Sequence, residues 1–286
     1  MADAPTRARS LRSWLTAALL AGFSSSSVLG LTAGGKVSCG ADVPSPSVPG
    51  LPTSCEDAEA CFREALAGPR ADSTATPDDL AAKIDRLRVV MEKHPGSLWA
   101  KRAALVSGVL LREGDPGRAI QFLRAARKDF PALEEYVRLW TGQALAKMGD
   151  TADAAALLES IREVAPDSLI VPRATYEAAE SWYRAAQCDR AVELYQKAFR
   201  AEDQEAVFPI GYLHLADCQS NLNLVREAQD SLRRLWVKYP RSPEAREAYV
   251  RLTRNGTEGW RPSPDDRYQR AKEFQAQAFH EDAVEE

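Results

Sequence analysis

The sequence predicts an all-α fold of repeated antiparallel helical hairpins, and three observations carry the prediction. Alanine is abundant while alternating Val, Ile and Thr are scarce, which favours helices over strands. In "RLWVKYPRSPEAREAYVRL", residues 234 to 252, one helix-spaced apolar run stops at Tyr239-Pro240 and a second begins at Ser242-Pro243. Pro240 cannot donate to a helical ladder and biases Tyr239 out of the α region, whereas Ser242 is a good N-cap and Pro243 suits a first turn, so the stretch is a corner between helices. Such corners recur. Aligning "GDPGRAIQFLRAARKDFP" on "GDTADAAALLESIREVAP" superposes Gly114 on Gly149, Ala119 on Ala154 and Pro131 on Pro166, a shift of 35 each time, and Ala191 and Ala228 each follow 37 later. That period fits a unit of two four-turn helices and two corners.

The elements follow in order. Arg7, Arg9 and Arg12 precede an apolar stretch, "WLTAALLAGFSSSSVLGLTAGG", from Trp14 to Gly35. Residues 1 to 35 read as an export signal. The alternative is a retained anchor, since about 18 apolar residues can just span a bilayer, although four consecutive serines weaken that idea. Cys39 in "KVSCG" has Lys36 where a bacterial lipoprotein signal usually places Leu, which disfavours lipidation. Residues 36 to 54 form a proline-rich tether. Residues 55 to 96 hold two capping helices, one from Glu56 to Ala67 and one from about Asp79 to Lys93, closed by the corner "HPGS". Residues 97 to 240 hold four helix-turn-helix units. Residues 241 to 286 add a helix from Ser242 to Arg254, another starting near Pro264, and the beginning of its partner in "FHEDAVEE", cut short as if this were the front part of something longer.

The chain has 286 residues, 45% hydrophobic and 27% charged, with a net charge of -4 and a pI near 5.6, enough for one extended domain or two compact ones. No Lys/Arg block supplies the footprint of a nucleic-acid binder. Export would make pairing possible among Cys39, Cys55, Cys61, Cys188 and Cys218, with one left over. Cys55 and Cys61 can pair only if Cys55 lies outside the helix that follows, while Cys188 and Cys218 read as small, buried packing residues.

The repeated phrase resembles the tetratricopeptide repeat (TPR), whose unit of about 34 residues carries small side chains at its eighth and twentieth positions and proline at its thirty-second. The eighth-position equivalents are Ser107, Gly142, Ala179 and Ala216, and the twentieth are Ala119, Ala154, Ala191 and Ala228. The thirty-second are Pro131, Pro166, Asp203 and Pro240, and Leu123, Leu158, Tyr195 and Leu232 fill the twenty-fourth. Small residues let paired helices approach, and the larger ones fill the space beside them. The resemblance implies a TPR-like, right-handed solenoid of helical hairpins. It also implies that first-helix positions line a binding groove: Lys101 and Arg112; Gln143 and Lys147; Arg173, Tyr176, Glu180, Tyr183 and Arg184; Asp217 and Asn221. The third set, rich in aromatic faces and both charges, suits a peptide or a glycan strand. Ordinary polar faces of an amphipathic solenoid are the alternative. The family's carboxylate clamp is missing, because Ala104, Leu139, Tyr176 and Leu213 occupy its fifth positions.

Catalytic equipment is not evident. There is no Walker A loop, no GxGxxG and no GxSxG, so no cofactor is expected. "HEDAV" has Val284 where a zincin's second histidine must stand, so no metal is expected there, and His94, His214 and His280 read as surface or helix-end residues. "YPRSPEAREAYVRL" followed by "PSPDDRYQRAKEFQAQAFHEDAVEE" resembles the helical N-terminal region of soluble lytic murein transglycosylases. Over "DSLRRLWVKYPRSPEAREA" the chain is also similar to periplasmic TPR proteins of outer-membrane assembly and of the Tol-Pal system. The first likeness implies a non-catalytic part that positions peptidoglycan for a catalytic domain. Such a domain would carry a Glu-Ser pair followed by Gly-Leu-Met-Gln, with Glu as general acid/base. Glu159-Ser160 lies in the second helix of a repeat with no such segment after it, so Glu159 reads as a solvated helix-face residue and the chain as not an enzyme. The second likeness implies a protein-protein adaptor. The expected setting is the periplasm or cell envelope, the expected partner peptidoglycan or a periplasmic protein or peptide, with membrane contact only through the N-terminal segment.

Overall fold

The computed structural model describes residues 55–67, 76–200, 208–254 and 260–286. The export signal, the proline-rich tether, Cys39 and Asp203 lie outside the described residues. Among those described there is no strand, and consecutive helices pack in antiparallel pairs, so the fold is all-α and TPR-like. The chain divides into two compact units, Met1–Ala132 and Leu133–Glu286.

In the first unit, α1 (Ala58–Leu66), α2 (Pro77–Lys93), α3 (Leu98–Leu111) and α4 (Pro116–Asp129) pack each on the next. Each start has a chemical reason. Asp57 caps α1, and Thr76 with Asp79 forms a capping box ahead of Pro77 in α2. Ser97 caps α3, and Asp115 precedes Pro116 in α4. The "HPGS" corner is a turn with Gly96 at φ 76, where glycine carries no Cβ penalty. Cys55 lies before α1 and bonds to Cys61 across a Cα separation of 5.0 Å, meeting the condition the sequence sets for that pairing. Both sulfurs are buried with Phe62, Leu87 and Val90.

The second unit contains α5 (Glu134–Met148), α6 (Thr151–Glu159), the single turn α7 (Ile161–Val164), α8 (Val171–Arg184) and α9 (Cys188–Arg200). It continues with α10 (Pro209–Asn221), α11 (Val225–Lys238), α12 (Pro243–Arg254), α13 (Pro264–Ala276) and α14 (His280–Glu285). The second helix of the second repeat, expected as one rod, breaks at Ser160, where the Glu163 amide donates to the Ser160 carbonyl at 3.2 Å in a tighter three-residue turn and the Ser160 hydroxyl donates to the Leu157 carbonyl at 2.5 Å. At the corner of sequence "YPRSP", Ser242 Oγ accepts from the Ala245 amide and Pro243 opens α12, as the sequence predicts. Left-handed residues mark the hairpin corners: Gly149 at φ 93, Ala186 at 55, Asn223 at 62 and Ala278 at 62.

The repeat positions behave as the close-packing argument requires. The twentieth-position alanines Ala119, Ala154, Ala191 and Ala228 are all buried, as are Leu123, Leu158, Tyr195 and Leu232. At Gly142 a Cβ would lie 2.7 Å from Leu158 Cγ, so only hydrogen fits beneath that leucine. In the first unit the residue pressed against Leu123 is Gly108, the neighbour of the expected Ser107. A run of aromatic contacts, Tyr195 with Phe199 and Phe199 stacked at 4.1 Å on Tyr212, crosses the second unit's core.

Cys188 and Cys218, expected as plain packing residues, are bonded to each other, with Cα atoms 4.9 Å apart. The reason is the stacking of hairpins. The start of α9 lies beside the end of α10, a proximity 30 residues apart in sequence that no local pattern announces.

Candidate functional site

The first helices of the second unit, α5, α8, α10 and α12, carry a ladder of polar contacts whose rungs are 34 residues apart. The Gln143 amide of α5 donates to the Glu177 carboxylate of α8 at 2.8 and 2.9 Å, and Arg173 holds the same carboxylate at 2.8 Å. Between α8 and α10, Glu180 faces His214 Nδ1 at 3.0 Å, and the Tyr183 ring stacks on His214 with centroids 4.1 Å apart. The Tyr183 hydroxyl donates to Asp217 at 3.3 Å. Asp217 in turn accepts from Arg251 of α12 at 2.6 Å, and Glu247 holds the other side of that guanidinium at 2.8 Å.

Glu180 is the centre of this arrangement. Its side chain is 12% exposed and accepts from the Tyr195 hydroxyl at 2.8 Å as well as facing His214. Burial alone would push its carboxyl up, but the hydrogen bond and charge of His214 and the hydroxyls of Tyr195 and Tyr176 outweigh it and hold the carboxyl below its usual value. Burial, followed by the nearby carboxylate, pushes the hydroxyls of Tyr176 and Tyr195 up, so both stay protonated donors.

Of the residues expected to line a groove, the structure brings Gln143 and Arg173 together on Glu177, and Glu180, Tyr183 and Asp217 together around His214, so Gln143, Glu180 and Tyr183 each bond to a neighbouring helix. Tyr176 is corrected: it is 4% exposed, packed against Tyr195 and Phe208 and covering Gly211, where a Cβ would lie 2.6 Å from its ring. Its fifth position faces the next hairpin, which is why its ring is core. Glu180 is buried too and serves as a tie between helices. Lys147 and Arg184 are exposed at the ends of α5 and α8, and exposed Asn221 reaches the Cys188 sulfur at 3.8 Å. In the first unit Lys101 pairs with Asp129 at 2.7 Å and Arg112 caps the Val109 carbonyl at 2.9 Å.

Sequence reasoning missed His214, Glu177 and Arg251. The signal was available in the spacing, since the pairs 143/177, 180/214, 183/217 and 217/251 each differ by 34, but only stacked helices show that the interval means contact. Glu159 is exposed and accepts from the Trp182 indole, and Ser160 is engaged by Arg138. Among the described residues one group of possible metal-ligating atoms comes together, Cys55, Cys61 and His94, within 4.8 Å of one another. Its two sulfurs are joined in the disulfide, and His94 Nε2 lies 3.0 Å from the Cys55 carbonyl. Also among the described residues, no helix is long and apolar enough to cross a membrane.

Comparison with known families adds two matches, both described as tetratricopeptide repeat, over residues 110–171 and 211–242. The second covers the hairpin of α10 and α11. No curated protein matches the chain. Together with the packed helical pairs, the two matches support a TPR-like repeat protein, an architecture that typically engages protein partners and is typically not catalytic.

Proposed function

We propose that this protein is an exported cell-envelope binding module that uses its stacked hairpins to hold a protein partner. The observation that carries the reading is the pair of tetratricopeptide matches on a body of packed helical hairpins. Export is supported by the arginine-led apolar N-terminus and by the disulfides Cys55–Cys61 and Cys188–Cys218, a bond type that persists in oxidising compartments. A second reading, positioning of peptidoglycan in the manner of the superhelical part of a lytic murein transglycosylase, draws support from the C-terminal resemblance.

A photo-crosslinking residue at exposed Arg184 tests both readings in the intact envelope. The adaptor reading expects a covalent adduct with a discrete protein, and the peptidoglycan reading expects retention on purified murein sacculi without one. A correctly folded protein that gives neither product excludes both.

A further inference from the structure

The last helices depart from the packing rule of the rest. From α8 to α12 each helix packs on the next, but α12 and α13 do not form a packed pair and instead both lie on α11. The α13/α14 hairpin turns on left-handed Ala278 as earlier hairpins turn on Gly149 and Ala186, which leaves α12 without a hairpin partner. Polar ties hold α13 down. Buried Asp266 pairs with Arg233 at 2.5 Å, and Arg270 donates to the Pro240 carbonyl at 3.1 Å and to that of Trp236.

Between α12 and α13 is a slot of about 550 Å³, within the size range of pockets that hold a specific ligand. Its floor is Trp236, and Tyr249 and Val250 on the α12 wall are more than two-fifths exposed. Trp260 packs edge-on to Trp236 with centroids 5.4 Å apart and keeps the aromatic surface in place. The charged lining is three arginines and two glutamates, and among the described residues two of the arginines are left without a carboxylate. Arg270 stacks over Trp236 at 4.1 Å, while Arg246 and Arg267 are exposed and have no ion pair among the described residues. The anions present come from the chain's own acidic segment: Glu285 and Glu286 stand at the slot, and Glu286 holds Arg270 at 3.1 Å with both side chains under a fifth exposed.

We propose that this slot docks an acidic peptide segment of the partner, with carboxylates on Arg246 and Arg267 and an apolar side chain against Tyr249 and Trp236. Glu286 on Arg270 is the internal example of the same contact. The inference rests on the partner-binding reading above and locates one of its contacts away from the ladder of first helices. Arginine suits the task because its guanidinium binds carboxylates in a fork and stacks on aromatic faces at once.

The full chain is titrated against a short fluorescein-labelled peptide of glutamate and leucine, read by anisotropy, beside the same peptide with glutamine for glutamate. Saturable binding is expected only for the acidic peptide. Arg246→Gln with Arg267→Gln is expected to weaken it roughly tenfold at unchanged helical circular dichroism. Glu286→Gln, which releases Arg270, is expected to tighten it severalfold. Equal binding of the glutamine peptide, no binding of the acidic one, or indifference to the double substitution overturns the proposal, as does weakening by the distant control Arg88→Gln to the same extent. If the slot fails but crosslinking at Arg184 still captures a protein, this inference falls and the partner-binding reading stands. If the slot binds and no protein is ever crosslinked in the envelope, the wider reading is the one that fails.

Discussion

Glu180 shows what one side chain does when stacked helices close over it. A buried carboxylate is costly unless it is paired and hydrogen-bonded, and here His214 and Tyr195 supply both. Because the folded-state carboxyl is held below its usual value, near 4.5, its contribution to stability is complete above that value and is lost as the pH falls through the folded one. Glu180→Gln keeps an acceptor for Tyr195 but loses the charge opposite His214. Urea denaturation at neutral pH should show a loss of about 1–3 kcal/mol. The same variant should show a flatter fall in stability on acidification, and an acid limb as steep as that of the parent protein would remove Glu180 from this role. Tyr176 teaches the opposite lesson. It was legible as a residue at a repeat position, but the face it presents depends on where the following hairpin lies, and Gly211 of that hairpin brings the backbone under its ring.

Among the elements, the hairpin corners were the most legible part of the fold. Ser242 and Pro243 announced a helix start through their own covalent chemistry, and the structure places the cap where that chemistry requires it. The corners are not all made of the best residue. Ala186 sits at φ 55, a conformation that an L side chain enters at a cost and glycine enters freely. Ala186→Gly is therefore expected to raise stability by about 0.5–1 kcal/mol, read as a higher denaturation midpoint with unchanged slope. A lower midpoint would mean that the methyl group contributes packing at this turn that outweighs its backbone strain. The break at Ser160 was not legible, because the "LLESIREVAP" pattern is as good for a continuous helix as for a broken one.

For the whole molecule, each compact unit has one disulfide among the described residues, and the two differ in the length of chain they close: six residues apart for Cys55–Cys61 and 30 for Cys188–Cys218. Constraint of the unfolded chain grows with loop length, giving about 2 kcal/mol for the short loop and about 3–4 kcal/mol for the long one. Cys188→Ser with Cys218→Ser should consequently lower the thermal midpoint more than the corresponding pair at Cys55 and Cys61. Equal losses would mean that strain or residual structure, and not loop closure, sets the contribution. Such dependence on oxidised sulfur is consistent with the exported setting proposed above, and a reducing agent added to the parent protein should reproduce the loss.

Periodicity, small residues at close approach, caps and proline corners are properties of neighbouring positions along the chain, so the sequence alone determined that this protein is a series of helical hairpins and where most of them begin. Which polar side chains meet was decided only by the stacking of one hairpin on the next. Contacts such as Glu180 with His214, Asp217 with Arg251 and Cys188 with Cys218 join residues 30 to 34 apart, and the distances and angles between packed helices, not any local propensity, bring them within bonding reach. The same holds for the slot beside α12, which exists because two helices share one neighbour without packing on each other.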